Sequence, residues 1–169
     1  MKKSFVIFLM LLGVAFIYSC KDECANVNCG THGTCAEGVC TCDDGYEKDA
    51  NGQCNTERRA KFIGTYNCTV LCDGGVPVNN ISSDIIATGN NINGIQIKNF
   101  AGSGSSVVMD CTVKADNSLV INDTLSILGL QTVFAGTGSF VSNTSTLTLS
   151  YTQTSNVGTT TCIYTMVKQ

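Results

Sequence analysis

Six cysteines crowd into the segment Cys24 to Cys54 with the spacing C-x4-C-x5-C-x4-C-x-C-x11-C. So short a segment cannot bury enough apolar surface to hold itself together, so covalent links must carry its stability. The chain as a whole has 11 cysteines in 169 residues. That density belongs to an oxidising compartment, because cytosolic thiols are kept reduced. The count is odd, and the cysteine left over needs a separate use. Cys20 is the natural one to set aside. It stands apart from the cluster behind the small residue Ser19. Without it, six cysteines lie at Cys24–Cys54 and four at Cys68, Cys72, Cys111 and Cys162, and both sets are even. A free thiol or an intermolecular bond at Cys20 is the alternative.

The residues before Cys20 read as an address. Lys2 and Lys3 precede an unbroken apolar run, Phe5 to Ile17. Thirteen residues fall short of the ~20 needed to span a bilayer but suit the core of a signal peptide. Ile17-Tyr18-Ser19-Cys20 resembles a bacterial lipobox, with Tyr18 departing from the usual small or β-branched residue. The resemblance implies cleavage before Cys20 and acylation of that cysteine, and several acyl chains anchor a protein stably. Lys21-Asp22-Glu23 resembles the surface-export signal of Bacteroidota lipoproteins. A solvated charged linker is the competing reading of these three residues.

The cluster itself, followed by Gly45-Tyr46 after its fifth cysteine, resembles an EGF-like module. The resemblance implies the pairs Cys24–Cys35, Cys29–Cys40 and Cys42–Cys54. A zinc site is disfavoured by the oxidising setting and by the lack of C-x2-C pairs. Calcium-binding modules of this family carry an acid where Cys20 stands and an Asn or Asp within Ala36–Val39, and both are missing. His32 is the chain's one histidine. With no partner in sequence to orient it as a base, it reads as an exposed structural residue. From Lys21 to Glu57 there are two lysines against eight acids, a spacer that an anionic membrane surface repels.

Composition changes at Arg58. The remaining segment is rich in Thr, Ser, Asn, Gly, Ile and Val, a mixture that favours strands and turns. Apolar and polar residues alternate with a period of two: Tyr66, Cys68, Val70 and Cys72 share one face, as do Met109, Cys111 and Val113, and Leu147, Leu149 and Tyr151. That pattern predicts antiparallel strands with one wet side. Turn signals divide the segment into about eight strands, near 62–71, 83–88, 92–100, 106–114, 118–127, 131–141, 145–153 and 159–167. The fold class expected is all-β, with an eight-stranded antiparallel up-and-down barrel and a β-sandwich as the alternative. Phe62-Ile63-Gly64-Thr65-Tyr66 resembles the first strand of calycin or lipocalin-like barrels, with Tyr66 in place of the usual Trp. The expected organisation is a leader at 1–19, an anchor and export linker at 20–23, the EGF-like module at 24–57 and the barrel at 58–169. Gly136 and Gly138 sit inside a strand and predict a bend or a close approach.

Closure of the barrel also bears on the last four cysteines. Cys68 and Cys72 on one extended strand lie roughly 13 Å apart, beyond a disulfide's reach of about 7 Å. The first strand meets the last, so Cys72–Cys162 is expected, leaving Cys68–Cys111 across the interior.

No catalytic set emerges. After Glu57 there is no His and no Glu, and Asp73, Asp84, Asp110, Asp116 and Asp123 form no dyad. Asp110 has Lys114 as a candidate neighbour. No phosphate loop, nucleophile elbow or metal motif is present, and a net charge of −3 offers nucleic acid no basic footprint. The expectation is a non-enzymatic surface protein without cofactor or metal. Its partners are the membrane, through Cys20, and an unidentified surface ligand or protein. A purely structural spacer, or a barrel holding a small apolar ligand, is the alternative. Asp123-Thr124-Leu125 resembles a Bacteroidota O-glycosylation motif and marks Thr124.

Overall fold

The computed structural model describes residues 23–89, 91–127 and 129–169. The leader, Cys20, Lys21 and Asp22 lie outside the described residues. The first part of the described chain is nearly all turn. Two small hairpins pair β1 (Gly33–Ala36) with β2 (Val39–Cys42) and β3 (Tyr46–Glu47) with β4 (Thr56–Glu57). Disulfides join Cys24 to Cys35, Cys29 to Cys40 and Cys42 to Cys54. Only Cys29 and Cys54 among its apolar residues are fully buried, so the sulfurs stand in for a core.

A short 3-10 helix, Arg58–Phe62, leads into eight strands: β5 (Gly64–Cys72), β6 (Val78–Ala87), β7 (Gly94–Lys98), β8 (Val108–Val113), β9 (Ser118–Ile127), β10 (Leu130–Val141), β11 (Thr146–Ser155) and β12 (Gly158–Lys168). Each pairs antiparallel with its neighbour in sequence, and β12 returns to pair with β5, closing the barrel. The sandwich alternative is thereby set aside. Closure is favourable because an open sheet of these strands would leave two unpaired ladders. The strand expected at 83–88 starts earlier, at Val78. Asn79 and Asn80 look like turn residues, but Asn80 sits at φ 60 beside the register shift between Cys68 and Val70, so it serves a β-bulge within the pair.

The circuit of register is staggered. From Cys72 it passes through Cys162, Tyr151, Gly136, Ile121, Cys111 and Ile95 to Ala87. Ala87 lies two residues past Ile85, the partner of Gly64, so one turn round the barrel ends at the opposite end of β5. That shear accompanies strand tilt in a closed barrel. It brings Cys72 and Cys162 face to face, and they are bonded.

The same stagger overturns the expected Cys68–Cys111 bond: both are free, buried thiols. The row through Cys111 and Ile95 meets β6 at Ala87, whereas the row through Cys68 meets β6 at Ile81. The separation along β6 is roughly 20 Å at about 3.3 Å per residue. A disulfide reaches about 7 Å between Cα atoms.

Gly136 shows why a strand interior here needs glycine. A Cβ at this position would overlap the Ser150 carbonyl oxygen and stand 2.6 Å from the Cα of Tyr151. These are backbone atoms of the paired strand and cannot swing aside. Gly136 thus marks the close approach anticipated from the sequence. Gly136→Ala is expected to destabilise the protein by about 1–3 kcal/mol, the usual cost of overpacking. Urea unfolding followed by circular dichroism measures it.

Candidate interaction surface

Two ends of the barrel differ in chemistry. The proximal end carries the 3-10 helix and the β6–β7, β8–β9 and β10–β11 connections. Phe62 plugs this end, fully buried, against Phe140 at 5.3 Å between rings. Tyr66 donates its hydroxyl to the Phe62 carbonyl at 2.7 Å, which ties the plug to the first strand.

The disulfide-braced segment is fastened to this end by a set of polar contacts. Arg59 is only 8% exposed. Its Nη1 lies 2.7, 2.8 and 3.1 Å from the carbonyl oxygens of Thr88, Asn91 and Gly94, and its Nε donates to Glu57. One planar guanidinium thus satisfies the backbone of the β6–β7 connection while holding the end of β4. Lys61 bridges Glu47 and Asn117. Asn93 donates to Asp44 at 2.7 Å, and the Arg58 amide donates to the Gly45 carbonyl at 2.8 Å. Gly45, at φ +84, faces Ile92 so closely that a side chain there would meet it. Arg58 Nη1 is buried without a hydrogen-bond partner, 3.9 Å from the Asp44 carboxylate, which makes it a weak spot in an otherwise satisfied joint. His32 is half-buried and not exposed as expected: its ring stacks on Tyr46 at 3.7 Å and 7°.

The interior is filled. Phe100, from the β7–β8 connection, enters the distal mouth and meets Phe134, Tyr151 and Tyr164 at 5.7, 5.1 and 5.3 Å. Residues 99 and 101, flanking it, have positive φ, held by Ser83 donating to the Asn99 carbonyl and by Asn99 donating to the Ser82 carbonyl. Ser83 and Tyr164 share a 2.6 Å hydrogen bond, and the Cys68 thiol joins them. With side chains this large on the inward faces, the barrel interior is a packed core. The small-apolar-ligand alternative therefore loses the open lumen it required.

Burial raises the pKa of several groups in this core. Tyr66, Tyr151 and Cys111 are each pushed up to about 12, Tyr164 higher still, and Cys68 upward against its hydrogen bonds from Tyr164 and Ser83. Because the folded state holds these protons more tightly than the unfolded chain, their stabilising effect is complete below about pH 9. It is lost as pH rises towards 12. Unfolding midpoints measured in urea are expected to be level up to about pH 9 and then to fall steeply. In the same experiment iodoacetamide is expected to label Cys68 and Cys111 only after unfolding. Rapid native labelling near neutral pH would contradict this burial.

The distal end consists of the β5–β6, β7–β8, β9–β10 and β11–β12 connections. Among their described residues, Asp73 is the one ionisable group. Val76 and Val157 project from two of them at 82% and 83% exposure, with Val78 and Leu130 exposed at adjoining strand ends. Between Leu130 and Val157 runs an uncharged groove of about 350 Å³, floored by Thr132, Gln153 and Thr160. Sequence reasoning missed this end because isolated valines beside Gly and Asn look like ordinary turn punctuation.

The remaining marked residues are scattered. Glu23 is exposed near the start of the described chain. Thr124 is exposed on β9, its amide donating to Asp123 Oδ1 at 2.7 Å. Asp123 also accepts from the Asp110 amide, so its carboxylate clamps two backbone groups. The Asp110 side chain pairs with Gln96, on the neighbouring strand, where Lys114 had been expected. Asp84 accepts from Thr65, and Asp116 from Ser118, whose amide and hydroxyl hold that exposed carboxyl below its usual range. Among the described residues no group of three or more His, Cys, Asp or Glu is placed to hold a metal.

The structure thus defines a closed eight-stranded antiparallel barrel preceded by a disulfide-braced segment, with an uncharged, valine-tipped distal end. No family model matches the chain, and no curated protein matches it. One similar solved structure is a Bacteroides fragilis NCTC 9343 protein provisionally named an outer membrane protein. It shares 15% identity and a TM-score of 0.40, covering 66% of this chain and 52% of that one. The chain spans about half the length of that structure, and a likeness at this level carries no argument.

Proposed function

We propose that the protein is a non-enzymatic, lipid-anchored cell-surface protein of an outer membrane, in which an EGF-like brace at 24–57 holds the barrel at 58–169 off the bilayer. The distal end is then presented to a surface ligand or protein. The joint carries this reading. Arg59, Lys61 and Asn93 fix the brace to the proximal end, so the valine-tipped connections point away from the segment that follows Cys20. The aspartates support a non-catalytic reading: Asp84, Asp116 and Asp123 are engaged in local hydrogen bonds that shape strands and turns. Exposed Thr124 suits a glycan in such a location.

Mass spectrometry of the mature N-terminus tests the anchor. The expected product begins at Cys20 and carries a diacylglyceryl group, and an unmodified Cys20 within a chain cut elsewhere would sink it. Replacing Lys21, Asp22 and Glu23 by alanine is expected to leave the lipid in place while reducing protease accessibility on intact cells. Unchanged accessibility would remove them as an export signal.

A further inference from the structure

The outer wall of the barrel is divided by charge. On β6, β7 and β8 the outward residues include Asp84, Lys98 and Asp110. On β10, β11, β12 and β5 the outward residues include no charge at all. One register row across this second wall reads Thr137, Ser150, Ile163, Leu71. Ile163 and Leu71, 48% and 43% exposed, are direct cross-strand neighbours, and Val141 and Val167 stand in a lower row at 48% and 46%. Half of the chain's large exposed apolar residues lie here once Val133 is counted.

We propose that this wall is the contact between two copies of the chain, related by a two-fold axis. A two-fold contact sets the same patch against itself, so any charge on it meets its like. A wall free of charge escapes that repulsion, whereas the β6–β8 wall would not. Thr, Val and Ile are stiff at χ1, so packing them freezes little side-chain freedom, where Lys or Glu would lose far more. The size is adequate. Four strands about 4.8 Å apart and roughly 30 Å long present on the order of 600 Å² before side-chain relief, near the ~800 Å² per partner of a standard interface. A different protein partner would be steered and registered by charge, and this wall offers none. A sheet of hydroxyls without an exposed aromatic ring suits neither a bilayer interface nor stacking on sugar rings.

The test is the mass in solution of the full chain, purified in mild detergent and measured by sedimentation with the detergent contribution matched out. The wild type is expected to be a dimer. Ser150→Arg and Thr137→Arg, on adjacent strands, are each expected to weaken it roughly a hundredfold or more by burying an unpaired charge twice over. Gln96→Arg, on the opposite wall, is expected to leave the dimer intact. Circular dichroism and thermal unfolding verify that each variant is folded. A monomeric wild type, a dimer that survives both wall substitutions, or a dimer equally sensitive to Gln96→Arg would each overturn the proposal.

Discussion

Replacing Cys72 and Cys162 together by alanine is expected to lower the unfolding free energy by about 4 kcal/mol. The bond spans 90 residues of sequence, so it encloses most of the barrel in one covalent loop. Chain-entropy reasoning assigns roughly 4–5 kcal/mol to closing a loop of that size in the unfolded state. The bond also joins β5 to β12, the pair farthest apart in sequence and therefore the most costly contact to form. Loss should lower the thermal midpoint by roughly 10 °C for a chain of this length. Calorimetry measures it, with reduction of the native protein as a second route to the same state. A shift of only a degree or two would show that the β5–β12 ladder closes the barrel without covalent help. The Cys68 and Cys111 thiols give the contrast: neither is cross-linked, so replacing either by alanine costs only the packing of a small side chain.

The second large effect is expected at Arg59. Arg59→Ala would strip a guanidinium from three carbonyl oxygens and a carboxylate at once. Glu57 is 39% exposed in its side chain, so the ion pair itself adds little. The carbonyls matter more, because each loses a charge-assisted partner in a place where water enters poorly. A loss of about 2–4 kcal/mol is expected, with protease cleavage appearing between 55 and 63 and faster amide exchange across 88–94. Arg59→Lys keeps the charge but not the planar fork, and should recover only a minor part. If the lysine variant behaves like wild type, charge alone holds the joint and the fork geometry is irrelevant.

Much of this architecture is legible in the chain. The alternation of Leu147, Leu149 and Tyr151 against Thr146, Thr148 and Ser150 fixes which face of β11 turns inward, because a strand's side chains alternate with a period of two. The same reasoning at Met109, Cys111 and Val113 places β8, and the turn signals separate eight strands. It fails at 78–82, where Asn79 and Asn80 resemble a turn but belong to a bulged strand, since a bulge tolerates a residue that a regular ladder would not.

The sequence alone therefore determined the all-β class, the strand count, the inward faces and the even division of cysteines once Cys20 is set aside. It did so because these depend on local periodicity and on arithmetic. Tertiary structure alone decided the stagger of the barrel, and the stagger decided which cysteines meet. Cys68 and Cys111 share the core yet lie on rows that reach β6 six residues apart, at Ile81 and Ala87. It also decided that Phe100 fills the distal mouth and that Arg59 clasps the β6–β7 connection. Such contacts join residues far apart in sequence, and shear and packing, which set them, belong to the closed sheet as a whole and to no single stretch of it.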